Sequence, residues 1–133
     1  MEGVECKCLD TDMLIDFLRG KKEAVNYIEK NKGFSLKTTV INLFELYYGS
    51  FLRGKGKEEV DALKDALDIL EFRYPEEAGK EFAELSKNGE IIDVRDLLIG
   101  VIARENGCTI VTGNAKHFSR INGLKVENYK EIR

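Results

Sequence analysis

Short apolar segments alternating with helical patterns predict an α/β domain, a parallel sheet covered by helices on both faces. Two further observations support that class. The run Val4-Glu5-Cys6-Lys7-Cys8-Leu9 ends in Asp10-Thr11-Asp12, and a helix pattern (Met13, Leu14, Ile15, Phe17, Leu18) begins at once. This reads as strand, tight turn and helix. The 133 residues, 43% of them hydrophobic, suit one domain spanning 1–133 with a filled core. Ligands of open α/β sheets gather just beyond the carboxyl ends of the strands, so Asp10 is predicted to stand where chemistry would occur.

Each element has its own signal. Residues 1–9 form the first strand; Asp12 or Thr11 can cap the first helix, and Gly20 ends it. Ala24, Tyr27, Ile28 and Lys32 mark a second helix stopped by Gly33, and Phe34 to Thr38 a short strand. Thr39 caps a helix reaching Phe51, Gly54-Lys55-Gly56-Lys57 is a loop, and Val60, Leu63, Leu67 and Leu70 share one helical face. A third strand falls within Ile69 to Tyr74. Pro75 opens a helix with Glu76 and Glu77 in its first turn, where the helix dipole favours them, and Ala78, Phe82 and Leu85 form its buried stripe. After Asp93 to Asp96, the segment Leu97 to Ala103 is apolar nearly all round, hence a buried helix. Cys108 to Val111 is a strand, Thr112-Gly113-Asn114 a turn, and Leu124 to Glu127 a last strand.

Composition narrows the function. A net charge of −3 speaks against a general nucleic-acid binder, but not against a nuclease whose acidic centre is balanced by metal ions. There is no apolar run of membrane-span length and no basic-then-apolar leader pattern at the N-terminus, so a cytoplasmic protein with no membrane partner is expected. Three cysteines, an odd number, argue for reduced core thiols rather than a disulfide framework. With no CxxC pair and His117 as the one histidine, a zinc site is not indicated.

Glu45 is the most informative residue. Its helix, Val40-Ile41-Asn42-Leu43-Phe44-Glu45-Leu46-Tyr47-Tyr48, is apolar on almost every side yet carries one carboxylate. A buried carboxylate must be paired, protonated or bound to metal. A salt bridge to a nearby Arg or Lys is the structural alternative. Asp10, Asp12 and Asp96 each stand where an N-cap would, so each taken singly reads as a cap. Together with Glu45 they describe carboxylates converging on one place, which only a cation would tolerate. Hard oxygen ligands select Mg²⁺ or Mn²⁺. Such ions serve phosphoryl chemistry by lowering the pKa of water and stabilising charge on phosphate. GKGK at 54–57 is not a phosphate-binding P-loop, since it lacks the preceding Gly and the following Ser or Thr.

Four stretches in order, Leu9-Asp10-Thr11-Asp12-Met13-Leu14-Ile15-Asp16, Thr39 to Gly49, Asp96-Leu97-Leu98-Ile99-Gly100 and Val111-Thr112-Gly113-Asn114-Ala115-Lys116-His117-Phe118, resemble a PIN domain, in particular the compact VapC-type toxins. The resemblance spans nearly the whole chain. It implies a three-layer α/β/α sandwich with a parallel sheet of about five strands. It also implies a Mg²⁺- or Mn²⁺-dependent ribonuclease, an RNA substrate, a cognate VapB-type antitoxin and a homodimer. Asp10, Glu45 and Asp96 match the family's recurrent acidic positions and Asn114 its fourth. Many VapC-type relatives with Asn there carry an acid shortly before the Phe, where this chain has His117; Asp93 or Asp12 would then compensate. Thr11 and Thr112 match hydroxyls that hold the acidic cluster in place, with ordinary capping of the following turns as the plain alternative.

The basic runs Arg19, Lys21, Lys22 and Arg53, Lys55, Lys57 read either as solvated surface or as flanks of the acidic pocket that grip an RNA backbone. His117 reads as a half-exposed turn residue or as a phosphate contact. Two rival functions stay open: a PIN-like domain that binds RNA or protein without cleaving, and a haloacid-dehalogenase-type phosphatase suggested by Asp10-Thr11-Asp12. Leu14 stands where that phosphatase family has Thr or Val, and the chain is short for it.

Overall fold

A computed structural model describes residues 5–131. Five strands, β1 (Cys6–Leu9), β2 (Ser35–Thr39), β3 (Asp68–Leu70), β4 (Cys108–Thr112) and β5 (Val126–Asn128), form one sheet in the order β3-β2-β1-β4-β5. Every neighbouring pair is parallel. Seven helices connect the strands: α1 (Thr11–Leu18), α2 (Lys22–Lys30), α3 (Val40–Arg53), α4 (Lys57–Ala66), α5 (Pro75–Lys87), α6 (Val94–Glu105) and α7 (Ala115–Phe118). The part of the expected first strand at residues 1–4 lies outside the described residues.

The side-chain alternation of the strands creates two cores. Leu9 and Val111 face α1 to α4, packing against Met13, Leu14, Tyr27, Leu43, Leu46, Val60 and Leu63. Cys8 and Ile110 face α5 to α7, against Ala78, Leu85, Leu97, Ile99, Val101 and Phe118. Helices thus cover both faces in three layers. Helix α6 is buried as its composition demands, and at Gly100 a Cβ would overlap Ile121 Cδ1, so the glycine sets how closely α6 meets the Phe118–Leu124 segment.

Three expectations are corrected. The apolar positions Leu67 and Leu70 do not extend α4. Helix α4 stops at Ala66, and Leu67 and Ile69 pack into one core while Leu70 packs against the other, the period of a strand. In α5 the inward position belongs to Glu81, not Phe82, which is exposed. Arg104 of α6 reaches Glu81 Oε1 through Nη1 at 2.7 Å, and Glu81 Oε2 accepts the Asn122 N–H at 3.1 Å, so a charged pair is satisfied where Phe82 was expected. Finally, Cys6 and Cys108 are joined by a disulfide instead of remaining thiols. The β1–β4 register sets these residues opposite each other with Cα atoms 4.6 Å apart, inside the range a disulfide needs. Only Cys8 is a free thiol among the described residues, and it is buried.

Candidate active site

Strand β1 is central, flanked by β2 and β4, and its chain leaves the carboxyl edge of the sheet at Asp10. Asp10 occupies the N-cap position of α1, yet its carboxyl makes no capping bond. It is 5% exposed and points to its neighbours instead. Oδ1 accepts from Asn42 Nδ2 at 3.1 Å, and Oδ2 accepts from Thr112 Oγ1 at 2.7 Å. Burial first, then the charge of Asp12, push its pKa up to about 7; Asp96 adds to this, and the Thr112 hydroxyl opposes it.

Glu45 lies on α3, whose start is fixed by a capping box between Thr39 and Asn42. The Thr11 hydroxyl donates to Glu45 Oε1 at 2.6 Å, and Arg95 Nη1 lies 3.4 Å from Oε2. The structural alternative of an ion pair is therefore realised, though with an arginine about half exposed that also binds Asp93. Asp96 is not the cap of α6. Asp93 caps it, accepting from the Arg95 N–H at 2.8 Å, so Asp96 in the first turn is released from that duty. Burial raises the Asp96 pKa, as do Asp93 and Glu45, while His117 and Arg95 pull it down. His117 Nδ1 is 3.9 Å from Asp96 Oδ2, with the imidazole half exposed.

The fourth candidates differ. Asn114 follows β4 in the expected turn, exposed, its backbone N–H bonded to Thr112 Oγ1 at 2.9 Å. Asp93 is exposed and turned to Arg95. Asp12 reaches the turn after β4: its Oδ2 accepts the Gly113 N–H at 2.9 Å, and a Cβ on Gly113 would lie 2.8 Å from that oxygen. The Thr11 hydroxyl donates to Glu45 and the Thr112 hydroxyl to Asp10. Asn42 was not singled out by sequence reasoning. A polar residue three before Glu45 in an apolar helix, and three after Thr39, was the available signal. Arg95 was also missed.

All donors are hard oxygens, and the carboxyls of Asp10 and Asp96 both resist ionisation. Asp10 has no cation among its hydrogen-bond partners. A divalent cation would relieve that repulsion. Among the described residues no group of three or more His, Cys, Asp or Glu side chains stands close enough together to hold a metal ion. The residues fit an ion held by one or two carboxylates with water completing its shell, the usual Mg²⁺ arrangement.

A groove of about 450 Å³ opens from Glu45 between α1 and the α3–α4 pair, walled by Ile15, Leu18 and Leu46 and rimmed by Arg19, Arg53 and Lys55. Each basic run thus contributes to one groove. Lys57 instead pairs with Asp61 at 2.8 Å. No helix among the described residues is long and apolar enough to cross a membrane.

The PIN domain family model matches residues 7–124, and the chain belongs to the PIN domain family. Among its relatives are VapC proteins. It is 30% identical over 127 residues to Ribonuclease VapC2 of Haemophilus influenzae, covering 91% of this chain and 96% of that one. It is 35% identical over 96 residues to Ribonuclease VapC3 of Methanocaldococcus jannaschii, covering 71% and 94%. Among solved structures, VapBC2 from Rickettsia felis bound to a DNA fragment from their promoter superposes with a TM-score of 0.80 at 30% identity, covering 92% of this chain and 98% of that one. The family and the five-stranded parallel fold are as the sequence indicated. The haloacid-dehalogenase-type reading falls with them.

Proposed function

We propose that this PIN domain is a Mg²⁺- or Mn²⁺-dependent endoribonuclease that hydrolyses RNA phosphodiester bonds, and that it is the toxin of a VapBC-type pair. The observation that carries the reading is Asp10: a buried carboxyl with no cationic partner, crowded by Asp12 and Asp96 at the carboxyl edge of the sheet. The names of the VapC relatives supply the substrate class and the activity. Asp10, Glu45 and Asp96 would hold the ion, directly or through water, with Asn114 and Asp12 or Asp93 as further candidates. When bound, the ion would activate water and neutralise charge on the scissile phosphate. Thr11 and Thr112 keep Glu45 and Asp10 oriented. Arg19, Arg53 and Lys55 would receive the flanking phosphates, which makes RNA binding salt-dependent.

The chain is read as a single PIN domain over 1–133, acting in the cytoplasm. A VapB-type antitoxin is the expected partner, in keeping with the Rickettsia felis complex. A homodimer accords with the exposed Phe44, Tyr48, Phe51 and Leu52 on α3, an apolar surface that a second copy would cover. The test is cleavage of a structured RNA panel with Mg²⁺, Mn²⁺ or EDTA, wild type beside Asp96→Asn. Metal-dependent cuts lost in the variant support the proposal. RNA binding without turnover at saturating Mn²⁺ would refute it in favour of a non-catalytic binder. Co-purification with the product of the neighbouring reading frame tests the antitoxin.

A further inference from the structure

We propose that Asn42 is a positioning residue that sets the orientation of Asp10 and Glu45 together, and so the strength of divalent-ion binding between them; the inference rests on the metal reading above. Asn42 is fully buried in the first turn of α3. Its Oδ1 faces the Thr39 backbone N–H at 3.2 Å and the Thr39 hydroxyl at 2.7 Å. A backbone N–H can only donate, so the amide atom facing it must be the oxygen. The amide nitrogen is thereby turned toward the acids. Its two hydrogens serve two acceptors: Asp10 Oδ1 at 3.1 Å and Thr11 Oγ1 at 2.9 Å.

The polarity then propagates. Thr11 Oγ1, having accepted from Asn42, sends its own proton to Glu45 Oε1 at 2.6 Å. One amide therefore controls one carboxylate directly and the other through a hydroxyl. Each acid keeps a second oxygen outside this chain of bonds, Asp10 Oδ2 on Thr112 and Glu45 Oε2 toward Arg95. Other side chains cannot replace it. An aspartate would set a carboxylate against Asp10, and a serine or threonine has one proton for two acceptors. A glutamine displaces the amide by one methylene at a fully buried position. The arrangement also joins the capping box of α3 to the pocket, so the helix that carries Glu45 starts in register with the turn that carries Asp10.

The experiment measures Mn²⁺ affinity by electron paramagnetic resonance on the metal-stripped full chain, with thermal unfolding in EDTA alongside. Removal of a residue that orients metal ligands typically weakens binding by about 10-fold to 100-fold. Asn42→Ala is expected to raise the Mn²⁺ Kd by at least about 10-fold. Thr11→Val, which breaks the arm to Glu45 and spares the bond to Asp10, should give a smaller loss. Ser50→Ala, farther along α3, removes a buried hydroxyl that donates to the Lys55 carbonyl at 2.8 Å and should leave the Kd unchanged while lowering Tm. If Asn42→Ala folds and binds Mn²⁺ like wild type, the inference is overturned and the proposed function stands. If Asn42→Ala does not fold, Thr11→Val decides, and an unchanged Kd there overturns it. A wild-type chain that binds no Mn²⁺ overturns both.

Discussion

Replacing Asp10 by Asn should stabilise the metal-free protein at neutral and alkaline pH while abolishing RNA cleavage. Burial and the neighbouring Asp12 lift the Asp10 pKa from 3.8 to about 7. The folded chain therefore prefers the protonated acid, whereas the unfolded chain ionises it near its ordinary value. Stability from this group is complete below pH 4 and is lost as pH rises through 7. Each pH unit in that interval removes about 1.4 kcal/mol, which sums to on the order of 4 kcal/mol by pH 8. Asparagine carries no charge at any of these pH values. Its carbonyl can face Asn42 Nδ2, and its amide can donate to Thr112 Oγ1, whose proton then turns toward Asp12 Oδ1 at 3.5 Å.

The measurement is thermal unfolding in EDTA at pH 5 and pH 8, wild type against Asp10→Asn. For a chain of this size about 1 kcal/mol moves Tm by several degrees, so the variant should gain about 10 °C at pH 8 and much less at pH 5. Mg²⁺ should raise the Tm of the wild type and leave that of the variant where it was, because a ligand of the folded state stabilises by mass action. A variant no more stable than wild type at pH 8, or equally stabilised at both pH values, would refute the reasoning.

Other outcomes follow from the same geometry. Arg104→Met leaves Glu81 buried without its cation and should cost about 3–5 kcal/mol in urea unfolding, most of it recovered in the Arg104→Met, Glu81→Met double variant. Reducing the Cys6–Cys108 disulfide, which spans a sequence separation of 102, should destabilise by about 4 kcal/mol; thiol titration in denaturant should count one group before reduction and three after. Arg53→Glu in the groove should weaken RNA binding and flatten its dependence on salt, with the Tm nearly unchanged.

Much of this was readable in the chain. Glu45 stood out because a lone carboxylate in an apolar helix needs a reason, and Asp10 because a strand ended at it. What escaped was whatever depends on register or on competition between neighbours. Asp96 looked like the cap of its helix, and only the backbone decides that Asp93 takes the role and Asp96 is released. Glu81 and Phe82 sit at i+3 and i+4 from Ala78, equally good inward positions, and the choice is made by Arg104 arriving from another helix. Leu67, Ile69 and Leu70 satisfy a helical and an extended period alike. The cysteine pair was invisible because parallel register cannot be read from spacing. Asn42 was hidden by its own helix, since one polar residue beside a cap looks unremarkable until its four hydrogen bonds are traced.

The strand order has a consequence in time. β1 lies between β2 and β4, and the chain reaches β4 only after six of its helices and two further strands have been made. Thr112, whose hydroxyl donates to Asp10, and Gly113, whose N–H donates to Asp12, both come at the end of β4. A growing chain carries its acids long before it can fix them, and a parallel pairing across so much sequence is slow to form. If the pocket cuts RNA, it is assembled only after β4 has left the ribosome. On that reading the polypeptide stays harmless to its own message until β4 has been made and paired, an order of events imposed by topology alone.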